Sequence, residues 1–124
     1  MPKHTVRLAT VVTALLFVVP PLSAAAACSR NEHGVFEDGA CASEALAKAD
    51  KELNQVYRQL LGQLDQDAQN KLRTAQRAWV AYRDANATFV YAVEGDGSAG
   101  RMVAANQLEQ ATVARVKELR SWPR

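Results

Sequence analysis

Residues 72–85 read LRTAQRAWVAYRDA, and this stretch indicates the fold of the 124-residue chain more clearly than any other. Its apolar residues recur at spacings of three and four, which is typical of an amphipathic α-helix. The pattern extends in both directions and predicts a helix from about Asp67 to Val93. The apolar stripe expected to face the core consists of Leu72, Ala75, Trp79, Tyr82, Phe89 and Val93.

Another helix is predicted on the N-terminal side of this one. It is expected to begin near Ala40, with Asp38 as its N-cap, and to reach its last turn at Gly62. Residues 65–67 then mark a break and provide a new cap. The apolar stripe of this helix consists of Leu46, Ala49, Leu53, Tyr57, Leu60 and Leu64.

A third helix is predicted after the turn at residues 94–98, with Ser98 as its N-cap and its end before Pro123. Residues 28–40 look irregular, and no alternating apolar pattern predicts a β-sheet. We therefore expect an all-α fold, a small three-helix antiparallel bundle preceded by an N-terminal loop. The stripe of the third helix consists of Met102, Val103, Leu108, Thr112, Val116 and Leu119.

The first 27 residues have the order of a secretory signal peptide. Lys3 and Arg7 precede an apolar run, and small residues follow it up to Ala27. We expect cleavage there, which leaves a single helical domain over residues 28–124, periplasmic or secreted. The apolar run is short for a membrane span, so an uncleaved anchor is the less favoured alternative and no stable span is expected after cleavage.

Two cysteines, Cys28 and Cys41, occur in the chain. In an exported protein such a pair is expected to form a disulfide, which would bridge the N-terminal loop. The alternative is lipidation of Cys28, which would be the first residue after cleavage. The alanines before it match a bacterial lipobox poorly, and lipidation would leave Cys41 as a free thiol.

Charge is balanced overall but unevenly distributed. After residue 27 the chain holds 13 basic and all 13 acidic residues, so it offers no net positive charge for a nucleic-acid partner. Residues 28–70 carry a formal charge of −4 and residues 71–124 one of +4. Either the acidic half attracts a cationic partner, or the two halves neutralise each other on folding.

The sequence argues against catalysis. His33 is the one histidine after residue 27, and it lacks a recognisable nucleophile and a third orienting group. Zinc usually takes three or four Cys, His or carboxylate ligands, and the two cysteines are expected to be bridged. We therefore predict no enzyme activity, no cofactor and no metal.

A dense cluster of polar and aromatic residues spans residues 76–85. Helical spacing places Gln76, Trp79 and Arg83 on one side, while Asp50 and Asn54 share a face of the preceding helix. Under one interpretation the aromatic residues fill the core and the charged pairs set helix register. Under the other, the arginines and aromatic residues form a partner-binding patch. The residues concerned are Asp50, Asn54, Gln76, Arg77, Trp79, Tyr82, Arg83 and Asp84.

These residues resemble the LprI-type lysozyme-inhibitor family of small exported bacterial proteins. The family's Ala-Asp-x-x-Leu-Asn-x-x-Tyr motif corresponds to residues 49–57, and its long central motif to residues 72–85. The cysteine pair and Gly97-Ser98 also match. A closing motif includes Thr112 and Arg115. Relatives often carry a second cysteine pair, at positions that correspond here to Ala87 and Gln107, so we expect a looser connection between the second and third helices.

The resemblance implies a binding protein that inhibits lysozyme or another cell-wall hydrolase by direct contact. C-type lysozymes are cationic, so we expect an acidic surface on the bridged loop to approach them. Its candidate residues are Glu32, Glu37, Asp38 and Glu44. The alternative is a non-inhibitory periplasmic or cell-envelope interaction module with a structural or stress-tolerance role. No oligomeric state is predicted.

Overall fold

The computed structural model describes residues 28–122, which form three α-helices. These are α1 (Gly39–Leu61), α2 (Gln66–Glu94) and α3 (Ser98–Ser121). Within this part of the chain there is no β-strand beyond an isolated bridge between Arg30 and Phe36. The all-α three-helix bundle is therefore confirmed, and its helix bounds agree with the predicted ones to within a few residues. The predicted signal peptide at residues 1–27 lies outside the described residues.

Two of the three helix starts are capped by aspartates, as the sequence predicts. The carboxylate of Asp38 accepts hydrogen bonds from the backbone N–H groups of Ala40 (2.8 Å) and Cys41 (3.0 Å). Asp65 accepts one from Ala68 at 2.8 Å. The N-cap predicted for α3 was wrong. Ser98 is the first helical residue, and the N-cap is Gly97, which provides no side-chain hydrogen bond.

The turn between α2 and α3 is tight and depends on glycine. Gly95 has a φ of 90°, in the region that favours glycine. Gly100 is buried in the first turn of α3, where an added Cβ would overlap the carbonyl oxygen of Gly95. No side chain fits in that space, so the start of α3 packs directly on the backbone that follows α2.

Helix α3 lies against both other helices and organises the core. Leu53, Val56 and Leu60 of α1 form a buried cluster with Val116 and Leu119 of α3. Four predicted core residues are partly buried against this cluster: Tyr57, Leu64, Leu72 and Trp79. Within residues 28–122 no helix is long and apolar enough to cross a membrane.

The predicted stripe of α2 was partly wrong. Tyr82 is 64% exposed, and Phe89 and Val93 are each 65% exposed, so none of the three belongs to the core. Ala87 is the one buried residue of the 29-residue α2. The reason is that α2 lies on a polar part of α3, where Thr112 and Arg115 are buried, and it turns Gln76 and Arg83 towards them.

Candidate functional site

One guanidinium group links all three helices. Arg83 of α2 donates from Nη1 to Asp50 of α1 at 2.8 Å and to Thr112 of α3 at 3.1 Å. Its Nε donates to the neighbouring Asp84 at 2.9 Å. The Arg83 side chain is 14% exposed, and Thr112 is fully buried and donates in turn to the carbonyl oxygen of Leu108. Arg83 therefore satisfies polar groups at the point where the helices meet.

Trp79 lies between Arg83 and a second arginine. The guanidinium carbons of Arg83 and Arg115 are 5.2 and 5.7 Å from the centre of the Trp79 ring system, within the range of cation–π contacts. Arg115 also donates to Gln76 at 3.1 Å and forms an ion pair with Glu118 at 2.7 Å. Seven of the residues singled out in the sequence thus meet in one network: Asp50, Gln76, Trp79, Arg83, Asp84, Thr112 and Arg115.

A groove of about 580 Å³ opens beside this network, between α1 and α2. Arg73 and Arg77 line it together with Arg83. Arg73 donates to Asn70 and Gln69, and Arg77 donates to Thr74, so these two arginines bind uncharged partners. Because Asp50 is the one acidic residue of the lining, the groove has a surplus of positive charge. Its lining comprises Asp50, Leu53, Asn54, Tyr57, Arg73, Gln76, Arg77, Val80 and Arg83.

The N-terminal loop, residues 28–38, is closed by a disulfide and by an internal turn. Cys28 and Cys41 are bonded, with their Cα atoms 5.4 Å apart, so the disulfide prediction is confirmed. The side-chain oxygen of Asn31 accepts hydrogen bonds from the N–H groups of His33 and Val35, both at 3.0 Å. Gly34 completes this turn with a φ of 74°. The loop is therefore internally ordered.

Two side chains of α3 anchor the loop. The buried amide of Asn106 accepts from the backbone N–H of Phe36 and donates to its carbonyl oxygen, each at 2.9 Å. Glu109, which is also buried, binds the guanidinium of Arg30 at 2.7 and 3.2 Å. Arg30 lies 4.1 Å from the centre of the Phe36 ring. The loop is thus fixed against the bundle independently of the disulfide.

These anchoring residues were missed by the sequence analysis. Their partners lie 70 and 79 positions away along the chain, so no local spacing reveals the contacts. The sequence does contain one pattern that could have pointed to them. Polar residues recur at every third position of α3, and the structure buries all four. The series is Asn106, Glu109, Thr112 and Arg115.

The four predicted acidic residues are all exposed and form what we call the acidic loop surface: Glu32, Glu37, Asp38 and Glu44. The last three line one shallow depression of about 590 Å³ beside the disulfide, whereas Glu32 lies in the turn, 3.5 Å from His33. Among the ion pairs of residues 28–122, none joins these four carboxylates to a lysine or an arginine.

Three other acidic residues of residues 28–70, Asp50, Glu52 and Asp67, are paired with basic residues of residues 71–124. Asp50 pairs with Arg83, and Glu52 pairs with Arg120 at 2.7 Å. Neutralisation between the two halves therefore holds for these acids, whereas the four carboxylates of the acidic loop surface have no such partner within residues 28–122. No group of three or more metal-binding side chains occurs in the part of the chain that the structure describes.

The fold and these surfaces define a small all-α protein with an anchored, disulfide-closed N-terminal loop. The chain belongs to the family of the lysozyme inhibitor LprI, whose model matches residues 26–119. The family description is that of an inhibitor, which agrees with the expected absence of enzyme activity. No curated protein and no solved structure matches the sequence.

Proposed function

We propose that this protein inhibits a lysozyme-type peptidoglycan hydrolase outside the cytoplasm by direct contact through the acidic loop surface. Family membership supports the kind of target. The observation that carries the choice of surface is that Glu37, Asp38 and Glu44 line one depression and, like Glu32, lack lysine or arginine partners within residues 28–122.

The physical argument has two steps. Unneutralised carboxylates attract a cationic hydrolase over several ångströms and raise the association rate, an effect that salt weakens. The loop that carries most of them is already held by the disulfide, by Asn106 and by Glu109, so little conformational entropy is lost on binding.

The test is inhibition of a cationic lysozyme by the oxidised chain of residues 28–124, which contains all three helices. Glu32, Glu37 and Glu44 are changed to glutamine and Asp38 to asparagine, because asparagine still caps a helix. We expect at least tenfold weaker inhibition by this variant at low salt. The matched control neutralises four exposed acids elsewhere by the same kinds of change: Asp65→Asn, Asp67→Asn, Glu94→Gln and Asp96→Asn. Equal effects of the two variants, or no inhibition at a large molar excess, would contradict the proposal.

Export through residues 1–27 is part of the same proposal. It is supported by the disulfide, which forms in oxidising compartments. The disulfide also supports an unlipidated Cys28, because a sulfur atom in a disulfide cannot carry a lipid. Mass spectrometry of the processed protein should give a chain that begins at Cys28 and bears no acyl group, while a lipid-modified or full-length product would contradict this part.

A second candidate is a non-inhibitory cell-envelope module, which the α1–α2 groove favours. Arg73 and Arg77 donate hydrogen bonds to uncharged side chains and to no carboxylate. They therefore remain available to carboxylate groups of a wall polymer. Co-sedimentation with purified peptidoglycan tests this function. Arg73→Gln with Arg77→Gln should abolish binding, and Arg58→Gln with Arg101→Gln serves as the charge-matched control.

A further inference from the structure

Helix α2 carries an apolar stripe on its solvent side, which we call the outer stripe. Its members are spaced by three and four residues, as along a helix–helix contact: Ala75, Ala78, Tyr82, Ala85, Phe89 and Val93. All six are exposed, and the three larger ones are 64–65% exposed. The opposite side of α2 carries Arg83 and Ala87, which face the other helices. The outer stripe is therefore not used by the fold.

An exposed apolar stripe of this length is unusual for a surface helix, which normally presents polar residues to water. Tyr82 and Phe89 each leave roughly 100–150 Å² uncovered, given that such side chains bury about 150–250 Å² when enclosed. With Val93 and the alanines, two such stripes in full contact would remove on the order of 1,000 Å² from water, the smallest area expected of a specific interface.

The order of large and small residues is self-complementary. In an antiparallel pair of α2 helices, a two-fold axis midway between Tyr82 and Ala85 places each Tyr82 opposite an Ala85. The same axis places Phe89 opposite Ala78. Each aromatic ring then meets an alanine, which permits close approach of the two helices.

Charge at the ends of the stripe favours the antiparallel direction. Lys71 and Asp67 precede the stripe and are paired at 2.6 Å, while Glu94 and Asp96 follow it. A parallel pair would place the acidic ends of the two helices side by side, whereas an antiparallel pair keeps them apart. Antiparallel packing also opposes the two helix dipoles.

From these observations we propose that a second copy of this chain covers the outer stripe, forming an antiparallel two-fold dimer through α2. The acidic loop surface and the α1–α2 groove are separate from the stripe and take no part in the interface. The proposal does not depend on the inhibitory function.

Sedimentation equilibrium of the oxidised 28–124 chain tests the dimer. We expect a concentration-dependent dimer, and a chain that remains monomeric up to about 0.5 mM would overturn the proposal. Tyr82→Lys and Phe89→Lys should each raise the dissociation constant at least tenfold with unchanged helix content. Trp122→Lys is the control, since Trp122 is 56% exposed but lies beyond α3. Equal dissociation constants for the stripe and control variants would also overturn it.

The register has its own test. Phe89→Ala opens a gap opposite Ala78, and Ala78→Phe places two rings against each other, so each change alone should weaken the dimer. The double variant exchanges the two partners and should recover most of the association. Failure to recover would overturn the antiparallel register. If the chain is monomeric and the lysine variants instead reduce lysozyme inhibition, the stripe binds the hydrolase and not a second copy.

Discussion

Arg83 of α2 and Asp50 of α1 are joined by a 2.8 Å ion pair, although no other ion pair in residues 28–122 links these two helices. The same guanidinium binds Thr112 of α3, so the position of α2 relative to both neighbours depends on one side chain. A largely buried arginine of this kind is costly unless its partners are present.

Replacement of Arg83 by alanine should lower the free energy of unfolding by about 2–4 kcal/mol, because Asp50 and Thr112 lose a charged partner and the cation–π contact with Trp79 is lost. Urea denaturation followed by circular dichroism measures the change. Lys71→Ala, which removes a pair with Asp67 at an exposed site, is the control and should have little effect. Equal losses in the two variants would show that the junction does not stabilise the fold.

The close approach at Gly100 predicts an unusual response to alanine. Gly100→Ala improves helix propensity by about 1 kcal/mol, yet its Cβ would overlap the carbonyl oxygen of Gly95. We expect a net loss of about 1–3 kcal/mol, because the α2–α3 turn must shift. Gly39→Ala is the matched control, since its Cβ would meet Met102 at 3.9 Å, an ordinary contact. Thermal unfolding compares the two, and a neutral Gly100→Ala would refute the close packing.

Asn106→Ala should release the N-terminal loop locally. The backbone N–H and carbonyl groups of the buried Phe36 lose their partner, which costs about 1–3 kcal/mol for each group left without a hydrogen bond. Amide hydrogen exchange should rise at residues 30–37 and remain unchanged in the middle of α1. Asn70→Ala, at an exposed position on α2, serves as the control. Unchanged protection of Phe36 in the Asn106 variant would contradict the anchoring role.

Removal of the disulfide should act on both stability and binding. Serine at Cys28 and Cys41 opens a short loop, since the two cysteines are 13 positions apart, and the chain-entropy estimate is a loss of about 3 kcal/mol. Helix content should persist, because the core cluster does not include either cysteine. Lysozyme inhibition should weaken as the loop gains freedom. Full inhibition by the reduced protein would show that the anchors on α3 are sufficient.

Local features of the structure followed from local sequence. The approximate helix bounds, the cap at Asp38, a cap within residues 65–67 and the Cys28–Cys41 bond were all predicted, because each depends on residues close together in the chain. The error at Tyr82, Phe89 and Val93 has a specific cause. Two sides of α2 carry apolar residues, and periodicity alone does not say which one meets α3.

The candidate site was predicted in composition but not in arrangement. The acidic residues were identified from charge, and the structure leaves them exposed. Arg83 and Arg120 neutralise Asp50 and Glu52 from distant parts of the chain. The packing of the helices therefore decides which acidic residues remain unpaired. The roles of Asn106 and Glu109 were not predicted, because polar residues inside a helix carry no sign of a partner in a distant loop.

The sequence by itself determined that the protein is a disulfide-containing three-helix member of the LprI family, since helix periodicity, capping residues and cysteine count act within a few turns of chain. Only the tertiary structure decided which face of α2 is exposed to solvent, which carboxylates have no ion-pair partner and how the N-terminal loop is anchored. Those outcomes depend on contacts between residues 33 to 79 positions apart, and such contacts form only when the helices pack.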